Sequence, residues 1–406
     1  MFARVILVAL GLSACTPAAE PKAPAGNKGS SATTVTAWAD DADCGGSPGS
    51  LRPLDGGSSS SSVVLGRTAR GALAGKLLAF VTDADGHAVA LVDVDGKKPL
   101  GSIALPEAPG QLLVLPDGRL VATLPRADRV AVLRGADDGG MTLACSRPTR
   151  SDPASAATTA KGDGVYVTSG WGGALEVFDA KLEKKRSIEL PREPRQIVLS
   201  DDERTAFVSH AVGGRVSVVD LTAGKVLAPI HLFDDPSGRR DPEGGLRIGL
   251  HGHALVKAGA PAGRLLLPQV LVDPGDPENR FDGYGSGDMP GIPNIAVIDA
   301  ATRSPLGASL GASQMRVFFE EGRRGGADPV PNGCLLPRGA GYDDETATLL
   351  VACLGTGTVG AYDGASADPG AIEIQRWDVG AGPTGVAVDV AGRRAIAWSQ
   401  FERSVD

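Results

Sequence analysis

The chain has 406 residues, 42% apolar and 22% charged, with a formal net charge of −8. It carries no cluster or stripe of Lys and Arg of the kind that phosphate backbones require, which excludes nucleic acid as a partner class. With 56 Gly and 29 Pro against only 4% aromatic residues, the composition favours a turn-dense, strand-rich fold over a helical one.

The chain opens with MFARVILVALGLSAC, in which Arg4 precedes an apolar run, Val5–Leu12, and small residues lead to Cys15. The run is too short to span a membrane and reads as an export signal. Its last four residues, LSAC, resemble the lipobox of bacterial lipoproteins. That resemblance implies cleavage before Cys15, lipidation of Cys15, and an outer-membrane lipoprotein facing the periplasm or cell surface. Several acyl chains together give a stable anchor. Residues 15–62 follow, rich in Pro, Ala, Gly and Ser, with GGSSSSS near the end. Such composition buries little apolar surface, so a disordered tether is expected, pinned only near Val35–Trp38 and Cys44.

From residue 63 the chain repeats itself. AFVTDADGHAVALVD (79–93), VYVTSGWGGALEVFD (165–179), AFVSHAVGGRVSVVD (206–220) and LLVACLGTGTVGAYD (349–363) share one frame. A small residue follows the Val of the first run, and Asp lies eleven positions later: Thr82 to Asp93, Thr168 to Asp179, Ser209 to Asp220, Ala352 to Asp363. Each unit reads as a strand, a Gly-rich turn and an alternating strand. Upstream lies a third strand, as in PRQIVLSDDE, and downstream a fourth, as in KKRSIELP. Four strands every roughly forty residues predict an all-β, seven-bladed β-propeller, since one blade cannot cover both of its faces alone.

The units resemble the YVTN-type β-propeller repeat of bacterial and archaeal surface and periplasmic proteins; VYVTS, AFVTD and VSVVD carry the match. Second strands are expected to start near 79, 120, 165, 206, 264, 349 and 395. The expected organisation is a signal peptide at 1–14, a tether at 15–62 and the propeller at 63–406. The seventh blade is expected to be incomplete, because Asp406 comes before the Asp that the repeat would place a few residues later. The run SSSSSVVLG (58–66) is a candidate outer strand for that blade.

With Cys15 lipidated, four cysteines remain for an oxidising compartment. Cys334 and Cys353 flank one strand-turn-strand stretch and are paired on that ground; Cys44 with Cys145 follows by elimination. The turns after the YVTN-like strands present Asp83, Ser169, His210 and Gln269 at equivalent positions, a candidate ligand face. His251 and His253 would share a face if they lay on a strand. The insertion VDPGDPENRFDGYGSGDMPG carries Asp273, Asp276 and Asp282, oxygen ligands suited to Ca²⁺.

No HExxH motif and no GxxxxGK[ST] phosphate loop is present in the 406 residues. The expected function is a lipid-anchored, non-catalytic binding or scaffold module for a protein partner or small ligand. The resemblance implies one alternative, since such propellers also occur joined to c-type cytochrome or peroxidase-like domains. No CxxCH motif lies in this sequence, so c-type haem would belong to a further domain or a partner.

Overall fold

The computed structural model describes residues 31–406 apart from 36, 41, 46–48, 55–58, 136–137, 233–247, 273–290, 307–333 and 372. Its β-strands form seven sheets arranged as the blades of a propeller. Second strands begin at Leu77, Arg119, Gly164, Thr205, Arg264, Thr348 and Arg394, each within two residues of the sequence expectation.

Blade three shows the plan. Pro153–Thr158 is innermost, followed outward by Gly164–Ser169, Ala174–Asp179 and Lys184–Glu189, all antiparallel. Burial grades with distance from the axis. Gly164–Ser169 is buried at every position, whereas Lys184–Glu189 is exposed at all but Ile188. A strand covered by neighbouring blades on both faces must be apolar or internally bonded throughout, which is why the YVTN-like segments are continuous apolar runs with small polar ends.

The repeated polar residues are structural. Asp93, Asp179, Asp220 and Asp363 end the third strands, and their carboxylates accept backbone N–H groups of the following turn: Gly96, Lys181, Ala223 and Ala365. This is the local turn chemistry for which Asp is favoured. The buried Thr of the second strand clips adjacent blades together. Thr82 Oγ1 donates to the Gly110 carbonyl of blade two, and Thr168 Oγ1 donates to the Arg195 carbonyl of blade four at 2.6 Å.

Seven apolar clusters fill the seven interfaces between blades. Ring closure is one of them: Val63, Leu65, Ala79 and Val81 of blade one pack on Ile396 and Trp398 of blade seven. Ion pairs cross the same seam, Arg394 to Asp95 at 2.7 Å and Arg67 to Asp389 at 3.5 Å, together with Arg403 and Asp83. Blade seven contains three strands, Pro383–Asp389, Arg394–Ser399 and Ser404–Val405.

Two expectations for the N-terminal segment need correction. SSSSSVVLG does not supply an outer strand to blade seven; Val63–Thr68 is an inner strand of blade one, paired with Leu77–Asp83. The described parts of residues 31–62 are also built into the fold more extensively than a tether would be. Ser31–Thr34 runs parallel to Lys98–Ala104 at the outer edge of blade one, and Leu51–Pro53 pairs with the far end of Val63–Thr68. Trp38 stacks under the Arg129 guanidinium, 5.3 Å from the ring centroid, and Arg119 donates to the Cys44 carbonyl at 2.7 Å. Composition underrates such a segment because its partners are hydrogen bonds to the propeller rather than a core of its own.

Both disulfides form as paired from the sequence. Cys44–Cys145 staples this segment to the outer strand of blade two, with Cα atoms 5.2 Å apart. Cys334–Cys353 ties the approach to blade six to the end of its second strand, at 5.0 Å.

Candidate functional site

Of the four residues expected to form a ligand face, Asp83, Ser169 and His210 end their strands and Gln269 lies within Arg264–Val272, and all four are buried and bonded internally. Asp83 accepts from the Gly86 N–H at 2.8 Å and pairs with Arg403. Ser169 donates to Glu176 at 3.0 Å, and Gln269 donates to Asn294 at 2.9 Å. His210 donates from Nδ1 to the Arg192 carbonyl and accepts at Nε2 from Ser217, both at 2.8 Å. Burial pushes the His210 imidazole down to about 4, so it is neutral at physiological pH. These four hold turns and neighbouring strands in place.

The accessible cavity lies beside them, at the mouth of the central channel. It has a volume of about 390 Å³ and draws its lining from all seven blades. Its shape depends on one register feature. In blades three, four, six and seven the innermost strand opens with Pro, and the pairing slips just after it: Pro153/Ser155, Pro194/Ile197, Pro337/Gly339 and Pro383/Gly385. A bulge leaves one residue unpaired and re-aims its side chain. The residues following those prolines, Ala154, Arg195, Arg338 and Thr384, all line the mouth. Directly across the ladder from the prolines sit Ser169, His210, Cys353 and Ser399, of which Ser169 and His210 were the candidates favoured by sequence. The lining residues were therefore one strand away, and the recurring Pro-X pair at each inner strand was their signal.

The serine run forms the floor. Ser59 donates to the Ile197 carbonyl of blade four, at 3.0 Å. The Ser60 N–H donates to the Ala156 carbonyl of blade three, the Ser60 hydroxyl accepts the Ala156 N–H, and the Ser60 carbonyl accepts the Gln196 side-chain amide. Ser61 pairs with Leu112 of blade two. Ser62 then reaches Thr384 of blade seven and the Thr82 N–H of blade one, and lines the cavity itself. A hydroxyl every residue suits a strand that must satisfy unpaired inner edges of several blades at once.

Two arginines, Arg195 and Arg338, line the mouth. Arg195 pairs with Asp152 at 2.9 Å and with Glu193, while its Nε is buried without a partner. Burial raises the Asp152 carboxyl despite Arg195. Arg338 faces the same cavity with no carboxylate partner among the described residues; burial, then the nearby Arg195 charge, pulls its guanidinium below the usual range. His253 is held down to about 2 by burial first and by Arg338 and Arg195 next.

His251 and His253 do not lie on a strand, which corrects the expectation that both point to one face. They occupy the loop between Ile248–Leu250 and Val256–Ala258, with His251 at φ +59° and ring centroids 6.2 Å apart. Gly252 between them packs on the His210 backbone, where a Cβ would come within 2.6 Å of the carbonyl oxygen. Only His253 reaches the mouth. Among the described residues no group of three His, Cys, Asp or Glu side chains is placed to hold a metal. Asp273, Asp276 and Asp282 lie outside the described residues, as does Cys15.

Around the mouth the turns after the second strands carry exposed apolar side chains. Trp171 is 77% exposed, Phe401 66% and Val212 40%, at matching turn positions of blades three, seven and four. They are three of the five exposed large hydrophobic residues in the described chain.

No protein-family model and no curated protein matches this sequence. Solved structures do. A chain of the Kuenenia stuttgartiensis hydrazine synthase is similar with a TM-score of 0.61 at 20% identity, covering 81% of this chain and 91% of that one. Virginiamycin B lyase from Staphylococcus aureus is similar with a TM-score of 0.52 at 12% identity, covering 86% and 94%. A chain of the mitotic checkpoint complex gives 0.55 at 10% identity, covering 98% of both. The fold is a β-propeller. At these identities the likeness extends to architecture, and propellers host unrelated activities.

Proposed function

We propose that this chain is a lipid-anchored, exported β-propeller that acts as a non-catalytic binding module, docking a protein partner on the face that carries the channel mouth. The observation that carries this reading is the coincidence on one face of Trp171, Val212 and Phe401 with a cavity lined by Arg195 and by Arg338, which is unpaired among the described residues. Exposed aromatic side chains around a polar centre are the usual anchors of protein interfaces. Charge complementarity then specifies the partner: a protein segment with apolar side chains for the rim and an acidic group for the centre. The two disulfides fit an exported chain, and the lipobox-like LSAC ending at Cys15 supports the anchor. Among proteins of similar fold, one works as part of the mitotic checkpoint complex, an example of a propeller serving assembly.

The test is site-specific photo-crosslinking in cells from positions 171 and 401, with position 374 on an outer strand as control, followed by affinity measurement with the captured protein. Trp171→Ala with Phe401→Ala is expected to weaken binding by roughly 30-fold or more, as interface anchors do. Equal affinity of the double variant would overturn this assignment.

A further inference from the structure

We propose that the channel mouth is a carboxylate-binding site in which the Arg338 guanidinium supplies the fork and Arg195, His253 and Gln400 line the surrounding wall. The inference deepens the reading of this face as the binding face and names what its centre recognises.

Four observations converge. First, the pairing is uneven: Arg195 is bound by both Asp152 and Glu193, whereas Arg338 has no carboxylate partner among the described residues. Second, the cation is half-buried and placed by a bulge after Pro337, on a strand that is anchored by Cys353 across the ladder and by its disulfide. A guanidinium partly shielded from water, with no acceptor among the described residues, gains from an incoming anion. Third, the cavity is closed below by Ser59–Ser62, so a ligand seats against a floor instead of passing through. Fourth, the remaining polar atoms suit an oxyanion. His253 is neutral and supplies a single N–H donor, and the Gln400 and Gln111 amides and the Thr384 hydroxyl also face the space.

The chemistry discriminates among anions. The planar Arg338 guanidinium fork, unpaired among the described residues, matches a carboxylate bidentately. A dianionic phosphate would leave a net negative charge beside Asp152. The volume of about 390 Å³ accommodates a side chain or a small organic acid.

The test uses the purified full chain, titrated with acetate, benzoate, N-acetylglutamate amide and inorganic phosphate. It is followed by calorimetry and by the Arg338 Nε–H resonance, assigned through Arg338→Gln. Saturable binding of the carboxylates that shifts that resonance is expected, with phosphate weaker. Arg338→Gln should lower carboxylate affinity by about 10- to 100-fold, the range for charge-assisted hydrogen bonds, and Arg338→Lys should recover only part. Because Arg338 makes no hydrogen bond among the described residues, its replacement should leave the melting temperature unchanged or raised. Preference for N-acetylglutamate amide over benzoate would assign the carboxylate to a protein side chain, and the reverse to a free organic acid. Absence of carboxylate binding, equal binding by Arg338→Gln, or tighter binding of phosphate would overturn the proposal. None of these arms requires a protein partner, so the site and the docking reading can fail separately.

Discussion

Ser60 and Ser61 are adjacent in a serine run, yet the structure assigns them opposite energetic roles. The Ser60 hydroxyl donates to Gln111 at 2.5 Å and accepts the Ala156 N–H at 2.7 Å, in the interior of the channel. Ser60→Ala leaves that buried N–H and the Gln111 carbonyl without their partner. Each orphaned group costs about 1–3 kcal/mol, and partial relaxation of the Gln111 amide brings the sum to roughly 2–3 kcal/mol. Ser61 Oγ is buried with no hydrogen-bond partner among the described residues, so Ser61→Ala is expected to be neutral or stabilising. Unfolding entropy of about 2.1 cal/mol/K per residue over roughly 340 propeller residues converts 2 kcal/mol into a melting shift of about 3 °C. Differential scanning calorimetry of the two variants separates them: a fall of this size for Ser60→Ala and none for Ser61→Ala. Equal shifts for both would refute the serine run as a bonded floor.

Other consequences are equally direct. His210 is held at about 4 when folded against 6.5 when unfolded, so the unfolded chain binds the extra proton between these values. Its contribution is complete above pH 6.5 and is lost as pH falls towards 4, a change of about 3 kcal/mol. His210→Gln should flatten denaturation midpoints over that window by a corresponding amount, and an unchanged pH slope would contradict the burial argument. Removing Cys44–Cys145, whose partners are 101 residues apart, should cost about 4–5 kcal/mol, against about 3 kcal/mol for Cys334–Cys353 at 19 residues. Paired Cys→Ala variants in chemical denaturation check the order. Cys15→Ser should move the exported chain from the membrane fraction to the soluble one, and continued membrane association would exclude lipidation at that residue.

The sequence displayed the fold wherever a physical demand recurs in every blade. Asp93, Asp179, Asp220 and Asp363 repeat because each accepts the backbone of the same turn, and Thr82 and Thr168 because each clips the next blade. The cysteines paired as their positions around blade six suggested. The candidate site was less legible for two reasons. Polar residues at strand ends, such as Asp83 and His210, look like an exposed ring in sequence, but neighbouring turns cover them. Arg195 and Arg338 reach the mouth through bulges, which shift side chains off the alternation that a strand pattern encodes. The serine floor was invisible for a related reason. Its partners lie on the inner strands of blades two, three, four and seven and on the second strand of blade one, and a hydroxyl run bonded to backbone edges has the same composition as a flexible linker.

The central claim is that the face around the mouth is where this propeller binds. Photo-crosslinking from positions 171, 401 and 374 in the exporting cell, with the affinity of the captured partner then measured against Trp171→Ala/Phe401→Ala, tests it most directly. The account predicts one shared crosslinked partner from 171 and 401, none from 374, and loss of affinity in the double variant. Crosslinking concentrated at 374, or a partner indifferent to both rim residues, would contradict it.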